Sequence, residues 1–158
     1  MEHGAVPELV NAGPRAPLLD SDQVVLFGWG PEQATVFERE VIDRRALSVL
    51  RVDEVAADPE GAAARARELA EARCDRLVVH FDVDVIDFTD TPLSENWGRN
   101  EGLAYDAALR ALDVLIATPH LAALTITELN PDHTEQGAHS LERLASDVGG
   151  SLGRSLTS

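Results

Sequence analysis

The sequence predicts an α/β protein of the three-layer αβα class, in which helices cover a parallel sheet. Short apolar runs alternate along the chain with stretches of helical periodicity, which is typical of βαβ units. The apolar runs are nearly continuous, as expected for strands that are buried on both faces of a sheet. An apolar fraction of 44% and a charged fraction of 26% are those of an ordinary globular domain. Right-handed crossovers between the strands then follow from strand twist.

The first part of the chain supplies two strands and one helix. The first 22 residues are rich in Pro and Gly and predict an irregular segment. Residues 23–28 form a short apolar run that ends at Gly28, and residues 47–52 form a second one. Between them we predict a helix that opens at Pro31, because apolar side chains from Val36 to Ile42 recur at helical spacing.

The second part supplies two strands and three helices. Asp58 precedes an Ala-rich stretch and predicts a helix over 58–72, followed by a strand over 76–81 and an irregular loop over 87–101. A helix over 102–118, a strand over 121–127 that Asn130 and Pro131 stop, and a helix over 134–148 complete the order. We therefore expect one αβα unit over residues 1–150 and a flexible tail over 151–158.

Charge and composition exclude several classes of function. The chain has 28 acidic residues and 13 basic ones, all of them Arg, and a net charge of −15. Nucleic acids and anionic membrane surfaces are therefore disfavoured as partners. No apolar run reaches the roughly 18 residues of a membrane span, and the first residues lack a signal-peptide pattern, so we expect a cytoplasmic protein. Cys74 is the only cysteine, which excludes an internal disulfide framework.

Carboxylates follow two of the predicted strands. Asp82 and Asp84 come directly after the apolar run 76–81, and Glu128 follows the run 121–127. A spacing of two on a strand predicts that the two aspartates lie on the same side, where they ionise together only beside a cation or several donors. Oxygen ligands of this kind suit Mg²⁺ or Mn²⁺. If the strands are neighbours, we expect all three carboxylates to converge at one edge.

Other interpretations of these residues stay open. An isolated Asp-X-Asp pair also occurs in glycosyltransferases, phosphohydrolases and solvated loops, and Glu128 alone reads as a surface residue. We expect Asp87 and Asp90 to form turns and His80 to be a hydrogen-bonded core histidine. The remaining histidines of the second half read as surface residues: His120, His133 and His139.

Three segments together resemble the arginase/agmatinase (ureohydrolase) superfamily. They are His-Phe-Asp-Val-Asp-Val-Ile-Asp over 80–87, Asn-Glu-Gly-Leu over 100–103 and Leu-Thr-Ile-Thr-Glu-Leu-Asn-Pro over 124–131. Their order and spacing are similar to those of the C-terminal half of that family, and the resemblance covers roughly residues 1 to 150. It implies an arginase-like αβα fold with a parallel sheet, present here as a partial domain.

The resemblance also implies a chemistry. Asp82 would bridge two Mn²⁺ ions, Asp84 would ligate one of them, and Glu128 would face the cationic substrate. A His-Gly pair near the start of the chain is similar to a family loop, which makes His3 the candidate proton shuttle. The reaction implied is hydrolysis of a linear amidino or guanidino C–N bond, in which two cations lower the pKa of the attacking water.

The chain also departs from the family pattern. Its upstream metal segments, Gly-Gly-Asp-His and Asp-Ala-His-X-Asp, are absent from the sequence, so two ligands remain of a binuclear set. Phe88 stands where the family has Pro, and Gly28-Trp-Gly stands where arginases have Arg-Asp. Two carboxylates hold a metal weakly. We therefore expect about half of a ureohydrolase, inactive by itself, which forms a homo-oligomer or needs the missing N-terminal half.

Two alternatives to this function remain. The chain could be a non-catalytic ureohydrolase-like module that acts through subunit association, because a partial sheet leaves an edge unpaired. It could also be a sugar-nucleotide transferase that uses the Asp82–Asp84 pair with one Mn²⁺, although no nucleotide-binding segment accompanies the pair. The sequence does not specify which substrate is used among arginine, agmatine and formiminoglutamate.

Overall fold

The computed structural model describes residues 13–98 and 101–155, and it has the predicted alternation of strands and helices. The strands are β1 (Val25–Trp29), β2 (Ser48–Arg51), β3 (Leu77–Asp82) and β4 (Leu121–Thr127), and the helices are α1 (Val36–Arg45), α2 (Val52–Ala57), α3 (Pro59–Glu71), α4 (Tyr105–Ile116) and α5 (Gly137–Ser155). Short 3₁₀ segments lie at Ser21–Gln23, Val83–Val85 and Pro131–His133. No helix among the described residues is long and apolar enough to cross a membrane.

The strands form two parallel pairs. β1 pairs with β2, and β3 pairs with β4 in a register that places Asp82 opposite Thr127. The predicted parallel pairing is therefore confirmed. It is possible because a helix lies in each connection between paired strands and returns the chain to the start of the sheet. The single sheet that we expected is divided, since within the described ranges β1 and β3 belong to separate two-stranded sheets.

The core lies where α4 packs between α3 and α5 and against the sheets. Seven of the twelve residues of α4 are buried, because apolar side chains occupy most of its circumference. Close packing of Ala residues allows α3 and α4 to approach each other. The largest fully buried side chains are Tyr105, Ile86, Leu93, Leu103, Leu112, Ile116 and Leu144.

Two predicted boundaries in the first half were wrong. α1 begins at Val36 rather than Pro31, because Thr35 and Glu38 form a capping box in which each side chain accepts from the other's backbone amide. The strand predicted over 47–52 ends at Arg51, and Val52 opens α2, a helix that the sequence analysis did not predict. The cap at Asp58 was correct: its side chain accepts a hydrogen bond from the amide of Gly61.

The last two helices also differ from the prediction. α4 starts at Tyr105, three residues after the predicted start, and α5 covers Gly137–Ser155 instead of 134–148. The flexible tail proposed for 151–158 is helical as far as Ser155. Ser151 is buried, and the hydroxyl of Ser155 donates to the carbonyl oxygen of Ile116 at 2.7 Å, so these residues dock on α4. Residues 156–158 lie outside the described part of the chain.

Candidate functional site

The carboxyl ends of β3 and β4 lie side by side. Asp82 is the last residue of β3 and is opposite Thr127, the last residue of β4, so Glu128 follows immediately beyond this pair. The condition stated for the sequence, that the two strands are neighbours, is therefore met. Parallel strands that end together leave a crevice beyond their carboxyl ends, which is the common ligand position in α/β sheets.

Asp82 and Asp84 are close, but they do not share a strand. β3 ends at Asp82, and a 3₁₀ turn over Val83–Val85 carries Asp84, so the predicted alternation on one strand was wrong. The Oδ1 atom of Asp82 accepts a 3.4 Å hydrogen bond from the amide of Asp84 and caps that turn. Both side chains are half-buried. A local side chain to backbone bond thus competes with continuation of the strand.

Glu128 has an unusual backbone conformation. Its φ is +60°, in the left-handed region that residues with a Cβ rarely adopt. Its side chain is exposed, and its carbonyl oxygen accepts a 2.7 Å hydrogen bond from the amide of Glu95. The chain therefore turns sharply at Glu128, directly after the strand that positions it.

The loop over residues 93–96 crosses both strand ends. The amide of Asn130 donates to the carbonyl oxygen of Leu93 at 2.9 Å, and Ser94 and Leu129 form an antiparallel bridge. The side-chain amide of Asn96 donates to Oδ2 of Asp84 at 3.2 Å. Asn96 was missed by the sequence analysis, because the loop has no periodicity and the contact joins residues from different segments.

Glu95, Asn130 and His133 form a polar cluster beside Glu128. The side-chain amide of Asn130 contacts the Glu95 carboxylate, and Nε2 of His133 lies 3.4 Å from the same carboxylate. The hydrogen bond from Asn130, followed by the interaction with His133, lowers the pKa of Glu95. His133 is exposed as predicted, and its ring meets Phe88 edge to face with centroids 6.3 Å apart.

Asp87 and Asp90 organise the loop that joins β3 to α4, as the sequence predicted. Asp87 accepts from the amide and the hydroxyl of Thr89 at 2.8 and 2.6 Å. Burial raises the pKa of Asp87, but these hydrogen bonds outweigh burial and leave the pKa below its usual value. Asp90 accepts from the amide of Tyr105 at 2.8 Å, at the start of α4.

His80 is hydrogen-bonded but does not lie in the core. It is exposed on the sheet surface, and its two ring nitrogens lie 2.8 Å from the hydroxyl of Thr125 and 3.2 Å from that of Thr127. The expected core position was wrong because the face of the β3–β4 pair that carries His80 is not covered by a helix within the described ranges. His120 and His139 are exposed, as predicted.

The carboxylates are suitable but insufficient for a binuclear metal centre. Asp82 and Asp84 offer the hard oxygen ligands that Mn²⁺ accepts. Over residues 13–98 and 101–155, however, no group of three or more His, Cys, Asp or Glu side chains is arranged to hold a metal ion. These residues therefore do not fit a binuclear Mn²⁺ centre on their own. His3, the proposed proton shuttle, lies outside the described residues and stays a prediction.

Comparison with known proteins decides the family. The sequence model of the arginase family matches residues 3–152, nearly the whole chain. The chain belongs to the arginase family. Among curated proteins, no sequence matches it. The resemblance seen in the three sequence segments is therefore confirmed, and family membership leaves the sugar-nucleotide transferase alternative without support.

Solved structures confirm the αβα fold. Native arginase from Bacillus caldovelox at pH 5.6 is similar with a TM-score of 0.76 and 21% identity over 93% of this chain and 48% of that chain. Helicobacter pylori arginase is similar with a TM-score of 0.71 and 21% identity over 84% of this chain and 45% of that chain. Formimidoylglutamase from Bacillus subtilis is similar with a TM-score of 0.62 and 18% identity over 78% of this chain and 40% of that chain. The arginase-family chain thus spans about half the length of the structures it matches.

Proposed function

We propose that this arginase-family chain carries part of the active site of a hydrolase that cleaves a linear amidino or guanidino C–N bond. The observation that carries the proposal is the placement of Asp82, Asp84 and Glu128 at the adjoining carboxyl ends of β3 and β4. The arginase-family match supports a hydrolytic role for these carboxylates over the alternative of a solvated surface.

The charge of this edge suits a cationic substrate. Amidinium and guanidinium groups are planar and present several N–H donors, which carboxylates recognise through paired, charge-assisted hydrogen bonds. Glu128 is exposed at the edge and so is available for such a bond. The small substrate proposed here is therefore a guanidino or amidino compound, among them arginine, agmatine and formiminoglutamate.

Catalysis would need residues beyond this chain. We propose that Asp82 and Asp84 ligate Mn²⁺ together with ligands from the part of the arginase domain that the chain does not span. Two carboxylates alone leave a divalent ion weakly held and largely hydrated. The chain by itself is then inactive, and its metal affinity depends on the complementary half.

Calorimetry with Mn²⁺ tests this proposal. Residues 1–158 alone should show no stoichiometric binding. Binding and hydrolysis should appear when the chain is combined with the half of Bacillus caldovelox arginase that it does not match, hereafter the complementary arginase half. Asp82→Ala should abolish both signals, whereas Glu128→Gln should abolish hydrolysis and leave Mn²⁺ binding in place. Tight stoichiometric Mn²⁺ binding by residues 1–158 alone would contradict the proposal.

A second function is favoured by the divided sheet. Two parallel pairs with separate outer edges are typical of a module that completes its fold by association. On this alternative the chain is a non-catalytic arginase-like subunit. A stable assembly with the complementary arginase half that binds no Mn²⁺ and hydrolyses none of the three candidate substrates would favour it.

A further inference from the structure

The edges of β1 and β3 that are not used in their own sheets border one cleft. The cleft has a volume of about 550 Å³, and its walls include Val25 and Phe27 of β1 and Val78 and Val79 of β3. A smaller cavity of about 220 Å³ is lined by the same four residues and so extends the cleft along the strands. We call this feature the interstrand slot.

The floor of the interstrand slot is apolar. Ala108, Ala111 and Leu112 of α4 lie beneath it, where they also belong to the buried face of that helix. Val78 is 65% exposed at the slot, although it lies in the middle of an apolar strand. Among residues 13–98 and 101–155, no further strand pairs with the edges of β1 and β3 that border the slot. Exposed apolar surface beside such strand edges is unfavourable in water.

We propose that the interstrand slot binds one β-strand from the part of the arginase-family domain that this chain does not span. Such a strand would hydrogen-bond to β1 on one side and to β3 on the other. It would join the two parallel pairs into one five-stranded sheet. Its side chains would be mainly apolar, as in any strand that is covered on both faces.

Two observations favour this occupant. The chain spans 48% of the Bacillus caldovelox arginase that it matches, so a fold of this kind contains as much polypeptide again. A second copy of the chain fits the slot less well. A strand inserted between two others needs both of its edges, whereas each of the four described strands already uses one edge in a pair.

Hydrogen exchange and light scattering test the proposal with the complementary arginase half as the probe. We expect a one-to-one complex in which amides of β1 and β3 exchange at least about 10-fold more slowly, since strand pairing removes them from solvent. Val78→Lys should weaken the complex at least about 10-fold, because it places a charge inside the sheet. Val36→Lys is the matched control: Val36 is 66% exposed on α1 and does not line the slot.

Three results would overturn the proposal: no complex, a complex without added protection of β1 and β3, or equal effects of the two lysine variants. A dimer of residues 1–158 with slow exchange at both edges would instead identify a second copy as the occupant. The proposal does not depend on catalysis, because a complex that protects the slot but hydrolyses nothing supports it and contradicts only the proposed activity.

Discussion

The Oδ2 atom of Asp90 accepts a 2.8 Å hydrogen bond from the backbone amide of Tyr105, fifteen residues later in the chain. That amide is at the first position of α4, whose residue before the helix, Ala104, offers no side-chain acceptor. Asp90 therefore caps the helix from another segment, and its charge also complements the positive end of the helix dipole.

Asp90→Ala should lower the free energy of unfolding by about 1 kcal/mol, the usual value of a lost N-terminal cap. Urea denaturation followed by circular dichroism measures the loss. Asp90→Asn keeps an acceptor at the same place and should recover most of the stability. If both variants unfold at the wild-type midpoint, the contact contributes nothing to α4.

Gly102 should be intolerant of any side chain. A Cβ atom there would collide with the amide nitrogen of Asp87 and lie 2.6 Å from the carbonyl carbon of Ile86, all of it backbone. This contact is where Leu103 and Ile86 form a parallel bridge. Gly102→Ala should therefore cost about 1–3 kcal/mol, as overpacking does.

Gly149 supplies the control for that substitution. It lies inside α5, and a Cβ there would meet no atom within 4 Å. Gly149→Ala should raise the free energy of unfolding by up to about 1 kcal/mol, because Ala is the better helix former. Opposite signs for the two Gly→Ala variants in one denaturation series are the expected result, and a Gly102→Ala variant as stable as the wild type would contradict the packing at Gly102.

Alkaline pH should destabilise the protein through Tyr105. The side chain is 2% exposed and donates to Asp147 at 2.8 Å, and burial, followed by this hydrogen bond, raises its pKa. A raised pKa in the folded state means that the contribution is complete below the unfolded pKa of about 10 and is lost as the pH rises beyond it.

Tyr105→Phe should cost about 0.5–1.5 kcal/mol at pH 7, where it removes the hydrogen bond. The difference from the wild type should shrink above about pH 10, where only the wild type has a tyrosine to ionise. The chain has one tyrosine and no lysine, so a Cys74→Ser background leaves Tyr105 as the main titrating group in this range. A constant difference between pH 7 and 11 would contradict the prediction.

Low pH should remove the stabilisation that the ionised Asp87 carboxylate provides. Its folded pKa is lowered, so its contribution is present above the unfolded pKa of about 3.9 and is lost as the pH falls through the lower folded value. Thr89→Val removes one donor and should destabilise the protein at pH 7 but have little effect once the carboxyl is protonated. Thr89→Ser should behave as the wild type at both pH values.

The sequence was sufficient to predict the two strands that border the site. The apolar runs that end at Phe81 and Thr127 are continuous enough to predict β3 and β4. β4 ends at Thr127 as predicted, but the chain already turns at Glu128, two residues before the Asn130 that was expected to stop the strand. Parallel pairing followed from the helices between strands. The adjacency of β3 and β4, which brings Asp82 near Glu128, was only a condition in the sequence and comes from the structure.

The rest of the fold and of the site depends on contacts that the periodicity of the sequence does not encode. Val52 is apolar and β-branched and so reads as strand, yet it opens α2 after β2 has ended. The contact between Asn96 and Asp84 joins a loop to a 3₁₀ turn twelve residues away. The division of the sheet was equally invisible, because each strand has the same apolar pattern whether its second edge is paired or open.

The left-handed backbone of Glu128 has a consequence for how sequences of this fold can change. At a φ of +60° Gly is the residue that the backbone accommodates most easily, so Glu128→Gly relieves strain. A laboratory selection for thermal stability alone should accumulate that replacement and discard the carboxylate. A selection that also requires amidine hydrolysis by the assembled enzyme should keep Glu at this position. Position 128 thus distinguishes selection for stability, which favours Gly, from selection for activity, which favours Glu.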